Sequence, residues 1–158
     1  MLDATGAVVG VASRAEMRAR NLRHRSVGIV VLDGHGRLLA HRRADDKDIW
    51  PGRWDVACGG VVGSGETWAD AARRELAEEL GIDAEPRFLG AGEWAGDGTD
   101  AVVHVFAVEH DGPYRFADGE VVEARWVDRA ELDALLASAP FCPDSIAIGL
   151  PLVIDQLR

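Results

Sequence analysis

The chain has 158 residues, of which 47% are hydrophobic; this suits one compact domain with a substantial core and leaves no room for a second. Its formal net charge of −10 argues against a general nucleic-acid binder or a protein of anionic membranes, whose long-range field should be positive. Two cysteines are too few for a disulfide framework, no stretch approaches a membrane span, and no secretory signal pattern opens the chain, so a cytoplasmic protein is expected.

The first part of the chain alternates apolar runs with turn signals. Its predicted elements are a short strand at 7–13, a brief helix at 15–22, and strands at 26–32, 37–41 and 55–60. Ser13 is the predicted N-cap of the brief helix. The β-branched run 26–32 suits a central strand, and the turn residues 33–36 predict that it forms a hairpin with the strand after it.

After residue 82 the predicted elements are strands at 87–94, 101–108 and 120–127, a helix at 129–137 and an apolar helix ending near Leu157. Asp128 is the predicted N-cap of the helix at 129–137, and Pro151 should kink or divide the last helix. His104 falls inside an apolar strand. It is interpreted as a core histidine and not as a ligand, because the five histidines show no metal-ligand spacing.

The most informative stretch, residues 60–82, joins a glycine-rich loop to a helix of about four turns. Thr67 is the predicted N-cap, with Asp70 as a weaker capping-box partner than glutamate would be. Gly81 is a natural residue to end the helix. The loop glycines would let backbone groups approach a metal or a phosphate closely.

This predicted helix carries two stripes. At ~100° per residue, an arc that can face a core contains Ala69, Ala72, Leu76 and Leu80. The neighbouring arc contains three carboxylates, Glu75, Glu78 and Glu79. Like charges at this spacing repel, whereas Mg²⁺ takes carboxylate oxygens and still accepts phosphate oxygens. The alternative is an ordinary amphipathic helix with a solvated acidic face.

The flanking residues decide between these alternatives. The fixed positions of the Nudix box are all present, namely Gly60, Glu66, Arg74, Glu75, Glu78, Glu79 and Gly81, with aliphatic residues at 76 and 82. The chain therefore resembles the Nudix hydrolases and is identified as a member of that family. The resemblance implies an α/β fold of the α+β type, in which a mixed β-sheet lies in an α/β/α sandwich. Residues 1–158 are then a single domain, with a core at 25–158 and an N-terminal extension at 1–24.

The resemblance also implies the chemistry, which is Mg²⁺-dependent hydrolysis, with Mn²⁺ as a possible substitute, of a diphosphate linkage in a nucleoside diphosphate derivative. Two or more metal ions would activate the attacking water and neutralise phosphoryl charge. The implied metal ligands are the Gly60 carbonyl and the carboxylates of Glu75, Glu78 and Glu79. Glu66 and Arg74 are implied to orient these carboxylates.

A further acidic residue is implied near the strand at 120–127, as a metal ligand or general base. Glu120 is favoured over Glu123, although either fits an exposed carboxylate at a strand edge. The predicted catalytic carboxylates are thus Glu78, Glu79 and Glu120.

Three residues are predicted to bind substrate. Arg42 and Arg43 end a predicted strand, where they fit either a solvated strand end or a phosphate contact. Trp50, like Trp54, flanks a turn and fits either packing against the protein or stacking on a planar part of the substrate.

A narrower resemblance concerns isopentenyl-diphosphate isomerase, which shares the fold. His24, the run from Arg42 to Gly52 and Cys58 look similar to the N-terminal half of that enzyme. However, Gly60 replaces a metal-binding histidine and Ala101 replaces an essential glutamate, and the isomerase lacks the intact box. Isomerase activity is therefore not expected, and Cys58 is interpreted as a small buried residue.

A non-catalytic binding module of this fold is a third alternative, against which the complete set of box carboxylates argues. The moiety beyond the diphosphate should be selected by loops at 44–55, 95–100 and 110–119, which carry no diagnostic motif. The expected partner is a small diphosphate, with neither a nucleic acid nor a membrane, and a homodimer is possible.

Overall fold

The computed structural model describes residues 1–116 and 119–158, so part of the predicted selectivity loop at 110–119 lies outside the described residues. The described strands are β1 (His24–Leu32), β2 (Leu38–Arg43), β3 (Trp54–Asp55), β4 (Cys58–Val61), β5 (Arg87–Gly96), β6 (Thr99–Glu109) and β7 (Val121–Val127). The described α-helices are α1 (Arg14–Ala19), α2 (Trp68–Leu80) and α3 (Arg129–Ser138). After α3 come a π-helical turn at Ser145–Gly149 and 3₁₀ turns at Leu150–Leu152 and Ile154–Gln156.

The strands form one mixed sheet with β1 at its centre. β1 pairs in parallel with β6 along its whole length, and antiparallel with β2 and β4 at different ends. β5 continues the sheet beyond β6 as an antiparallel hairpin, while β2 also pairs with β3 and β7. The β1 run is rich in β-branched residues because both of its faces are covered.

Helical segments cover both faces of the sheet. Val27, Ile29 and Val31 of β1 point to one face, where they pack with α2. Val30 points to the other face, where it packs with α3 and the segment that follows α3. This alternation gives two core layers, and it confirms the predicted α/β/α arrangement around a mixed sheet.

Three predicted elements differ from the structure. The strand at 7–13 is wrong, because only Val8 forms a bridge there, with Leu2. The strand at 55–60 is divided into β3 and β4, which pair with different neighbours. The last apolar helix is instead the series of π and 3₁₀ turns, since Pro151 has no N–H to donate and lies at the start of the first 3₁₀ turn.

The hairpin β5–β6 is tighter than predicted. Both strands extend into the predicted loop at 95–100, and only Asp97 and Gly98 remain as the turn. Among the described residues, no helix is long and apolar enough to cross a membrane.

Candidate active site

The box loop and α2 adopt the conformation that their sequence predicts. The Thr67 side chain accepts a hydrogen bond from the Asp70 N–H at 3.1 Å, which confirms it as the N-cap. Gly81 ends α2 with a φ of 66°, a conformation that favours glycine. The buried face of α2 differs from the prediction at one position, because Ala69 is exposed and Ala71 is buried instead. The buried side of α2 therefore also includes Glu79.

Arg74 joins the acidic residues of the box. Its Nε and Nη2 donate to the two carboxylate oxygens of Glu66 at 2.9 and 3.1 Å. Its Nη1 donates to Glu75 at 2.7 Å and to Glu78 at 3.1 Å, and its Nη2 also reaches the Val61 carbonyl at 3.2 Å. One guanidinium therefore fixes three carboxylates relative to the end of β4, as the implied orienting role requires.

Arg74 and Glu66 each stabilise the charged form of the other. Hydrogen bonds from Arg74 lower the pKa of Glu66, and the Glu66 carboxylate in turn raises the pKa of Arg74. Burial raises the pKa of Glu75, and the Arg74 contact only partly opposes this. The ionised form of Glu66 is thus stabilised by its pairing with Arg74, whereas the ionised form of Glu75 is destabilised by burial.

Glu79 is the most buried carboxylate of the box, at 4% exposure. Its Oε2 accepts a hydrogen bond from the Gly59 N–H at 3.3 Å. Burial raises the pKa of Glu79 to about 8, and the negative charges of Glu75 and Glu120 add to the effect. A carboxyl group placed so deeply beside other acids is stabilised by a cation or a proton.

The backbone of β4 passes directly against the box helix at Gly60. A Cβ atom at this position would lie 2.5 Å from Glu75 Oε1, so a larger residue would displace the Glu75 carboxylate. The Gly60 carbonyl accepts a hydrogen bond from Ser26 Oγ at 2.9 Å, and Gly60 lies opposite Val27 in the β1–β4 pairing. The Gly60 backbone and the Glu75 carboxylate are therefore neighbours at the end of β4.

The implied metal ligands are neighbours but do not converge. Within residues 1–116 and 119–158, no three His, Cys, Asp or Glu side chains are arranged to hold a metal ion. Arg74 accounts for this, because it binds Glu75 and Glu78 where a cation would bind them. The residues still fit a hard divalent cation: three carboxylates and a carbonyl supply only oxygen donors, and Glu79 forms no ion pair with a described residue.

A cavity of about 200 Å³ opens beside this cluster. Among the predicted site residues, its lining includes Gly60, Glu75, Glu78, Glu120, Arg43, Trp50 and also Arg74. Glu66 and Arg42 are not among the lining residues, and Glu79 lies behind Gly59. The structure therefore brings most of the predicted residues to one cavity, from residues far apart in the chain.

Glu120 and Glu123 occupy different places. Glu120 precedes β7, lines the cavity and forms an ion pair with Lys47. Burial acts to raise its pKa, but the Lys47 ammonium outweighs this and the pKa is lowered. Glu123 is outside the cavity lining, 3.9 Å from Arg42. This geometry agrees with the preference for Glu120.

The two predicted substrate arginines point to different surroundings. Arg42 donates to Asp45 at 2.9 Å, whereas Arg43 lines the cavity and donates to the Ile49 carbonyl at 3.1 Å. Trp50 also lines the cavity. It meets the Trp94 ring edge-on, with 6.3 Å between ring centroids. Trp54 instead packs in the core at 7% exposure.

Cys58 and His104, both interpreted from the sequence as buried structural residues, differ in their burial. Cys58 is 2% exposed, its thiol lies 3.6 Å from the Ile29 carbonyl, and burial raises its pKa well above the usual value. The interpretation of Cys58 as a small buried residue is confirmed. His104 is only half-buried and stacks on Trp68 at 3.6 Å between ring centroids, so the core position predicted for it is wrong.

Several cavity residues were not predicted from the sequence. Arg14 and Arg18 of α1 line the cavity, as do Asp55 and Asp144, and Asp144 interacts electrostatically with Asp55 and Arg43. Burial raises the pKa of Asp144 to about 7, and the Asp55 carboxylate adds to the shift. The only sequence signal was the spacing of the two arginines, which places them on one face of a helix.

Comparison with known proteins shows the family of this chain. The sequence profile of the NUDIX domain matches residues 22–145. An uncharacterized Nudix hydrolase of Pseudomonas aeruginosa is 42% identical over 149 residues, which cover 93% of this chain and 87% of that protein. An uncharacterized Nudix hydrolase of Yersinia pestis is 38% identical over 148 residues, which cover 92% and 80%.

The fold also has solved counterparts. The crystal structure of DR0079 from Deinococcus radiodurans is similar with a TM-score of 0.80 at 25% identity, covering 96% of both chains. Both proteins therefore share one architecture, a mixed sheet with few helices. With the intact box, its carboxylate cluster and the matched domain, the chain belongs to the Nudix hydrolase family.

Proposed function

We propose that this protein hydrolyses a diphosphate linkage in a nucleoside diphosphate derivative, with Mg²⁺ or Mn²⁺ as the cofactor. The observation that carries the proposal is the Arg74 cluster: Glu75 and Glu78 line a cavity, with the desolvated Glu79 carboxylate directly behind it. When bound, the metal would neutralise phosphate charge and acidify the attacking water.

The residues of the chain have separate roles in this proposal. Glu75, Glu78, Glu79 and the Gly60 carbonyl would hold the metal, which requires Arg74 to release Glu75 or Glu78. Arg74 would then remain bound to Glu66, through the two bonds that do not involve the metal ligands. This residual pair would keep the guanidinium in place and limit the motion of the box carboxylates.

Glu120 is the proposed general base. It lines the cavity, and its ion pair with Lys47 favours the ionised form that a base needs. Glu79 and Glu120 interact electrostatically, which indicates that the two carboxylates face the same region. A proton taken from water by Glu120 would stay near Lys47, whose positive charge favours its release once product has left.

The cavity supports a substrate with a planar group attached to the diphosphate. Trp50 and Trp94 line the same cavity as Glu75, and the Trp50 indole N–H donates to Asp97 at 3.3 Å. The Trp50 ring, oriented by this hydrogen bond, suits stacking on a nucleobase. The partner we propose is therefore a small molecule; a cytoplasmic location and a homodimer stay predictions.

The test is phosphate release from a panel of nucleoside and non-nucleoside diphosphates, with a coupled phosphatase and with Mg²⁺, Mn²⁺ or EDTA. Glu79→Gln should lose at least about a hundredfold in kcat/KM while remaining folded. Glu123→Gln is the matched control, because it removes one carboxylate outside the cavity. Equal turnover by wild type and Glu79→Gln would refute the proposed site.

The same panel separates the alternatives. The isomerase hypothesis requires conversion of isopentenyl diphosphate without phosphate release, and the burial of the Cys58 thiol argues against it. A binding module would bind a diphosphate with metal but release no phosphate from any compound. Metal-dependent release that disappears in Glu79→Gln excludes both alternatives.

A further inference from the structure

Basic side chains from two separate parts of the chain meet in the cavity. Arg14 and Arg18 come from α1, and Arg43 and Lys47 come from the end of β2 and the loop after it. The chain as a whole carries a net charge of −10, so this concentration of positive charge opposes the overall composition. Lys47 is paired with Glu120. The three arginines are not explained by that pair.

The hydrogen-bonding capacity of these arginines is largely unused. The Nε atoms of Arg18 and Arg43 are buried and have no hydrogen-bond partner among the described residues. Arg18 Nη1 reaches only Thr99 Oγ1, at a long 3.5 Å, and Arg43 Nη2 donates to a backbone carbonyl. In the part of the chain that the structure describes, no ion pair uses Arg14, Arg18 or Arg43. Buried donors without acceptors are costly in a native protein.

The arginines are also close enough to repel one another. Burial lowers the pKa of Arg18, and the charges of Arg14 and Arg43 lower it further, against the nearby Asp48. An anion within the cavity would offset this repulsion and would accept the unused N–H groups. Guanidinium groups suit phosphate oxygens, because their donors lie in a planar fork.

Helix α1 is fixed in a way that presents both of its arginines. Ser13 caps the helix by accepting a hydrogen bond from the Glu16 N–H at 3.1 Å. Met17 is 6% exposed and anchors the helix to the core. Arg14 and Arg18 are four residues apart and so project from the same face. Arg20 bonds Glu16 and is absent from the cavity lining.

We infer that Arg14 and Arg18 of α1, together with Arg43, form an anion subsite that binds the phosphate group next to the reacting one. The N-terminal segment thereby becomes part of substrate recognition. The identity of the bound phosphate rests on the proposed function, because the box carboxylates define where the reacting phosphate lies. The affinity of the subsite for a compact anion does not depend on turnover.

Isothermal titration calorimetry with methylenediphosphonate, whose P–C–P bridge resists hydrolysis, tests the subsite on the full chain in EDTA. The wild type should bind, and Arg14→Gln/Arg18→Gln should weaken the Kd at least about tenfold, because two charge-assisted contacts are lost. Arg20→Gln is the matched control on the same helix and should bind as the wild type does. Arg14→Gln alone should weaken the Kd about threefold or more, and it serves if the double variant does not fold.

The results separate the subsite from the proposed hydrolase activity. Absence of wild-type binding, or an unchanged Kd in the arginine variants, overturns the inference. Glu79→Gln should retain binding in EDTA while losing turnover. With an active substrate, the double variant should raise KM at least about tenfold and change kcat less than about threefold, as expected for loss of uniform binding. Turnover that persists in Glu79→Gln would refute the hydrolase site and leave the anion subsite standing.

Discussion

The buried carboxyl group of Glu79 should make the metal-free protein less stable as the pH rises. Its pKa is raised from the usual 4.5 to about 8 in the folded state. The folded state therefore retains a proton that the unfolded state has released between these two pH values. Stability falls with rising pH through this window, and the full penalty is present above the folded-state pKa.

The magnitude follows from the two pKa values. One pKa unit corresponds to about 1.4 kcal/mol, so the penalty is roughly 2 kcal/mol at pH 6 and roughly 5 kcal/mol at pH 9. The Glu79→Gln variant cannot ionise, yet its amide oxygen can still accept the Gly59 hydrogen bond. Between pH 6 and pH 9 the variant should therefore gain roughly 3 kcal/mol in unfolding free energy relative to the wild type.

Urea unfolding in EDTA, followed by tryptophan fluorescence at constant ionic strength, measures this difference. Glu78→Gln is the control, because its side chain on the same helix is 55% exposed and remains in water. Other titrating groups, including Asp144, are common to the proteins and cancel in the comparison. Saturating Mg²⁺ should reduce the penalty in the wild type alone. A wild-type to variant difference that changes by less than about 1 kcal/mol across this pH range would refute the reasoning.

Three further substitutions test the geometry of the site. Arg74→Lys removes the forked contacts to Glu66 and should lower kcat about tenfold or more and weaken metal affinity in a Mg²⁺ titration; unchanged metal affinity would contradict the orienting role. Gly60→Ala places a Cβ 2.5 Å from a Glu75 oxygen, so kcat/KM should fall at least about tenfold in steady-state assays, and wild-type kinetics would be the contrary result. Trp50→Ala should raise KM several-fold for nucleoside substrates but not for non-nucleoside diphosphates; an equal rise for both would argue against stacking.

Local sequence signals were sufficient to predict the box. Thr67 and Gly81 define the ends of α2 through their own backbone chemistry, and both predictions are confirmed. The ion pair of Arg74 with Glu66 was not predicted, although both residues were expected to orient the box carboxylates. Periodicity failed only at the edge of the buried arc, where Ala69 was assigned to the core. The sheet behind α2, and not the helix itself, decides which edge is covered.

Elements that depend on distant partners were harder to predict. Val8, Val9 and Val11 suggest a strand, yet they are 66%, 60% and 69% exposed, because no strand within residues 1–116 and 119–158 covers them. The apolar C-terminal segment was predicted as a helix from its composition. In the structure it packs against β1, β5 and β6 in the same core layer as α3, as a series of π and 3₁₀ turns.

The charges of the cavity show why substrate recognition was not readable from composition. A net charge of −10 repels phosphate compounds at long range, so attraction must come from a few side chains. Arg43 is central among them: its charge opposes the rise in the pKa of Glu79, contributes to the lowered pKa of Glu120 and also acts on Arg18 of α1. Arg43 therefore interacts both with these carboxylates and with an arginine of α1. Only the fold brings these side chains together, since β1 to β4 lie between α1 and α2 in the chain.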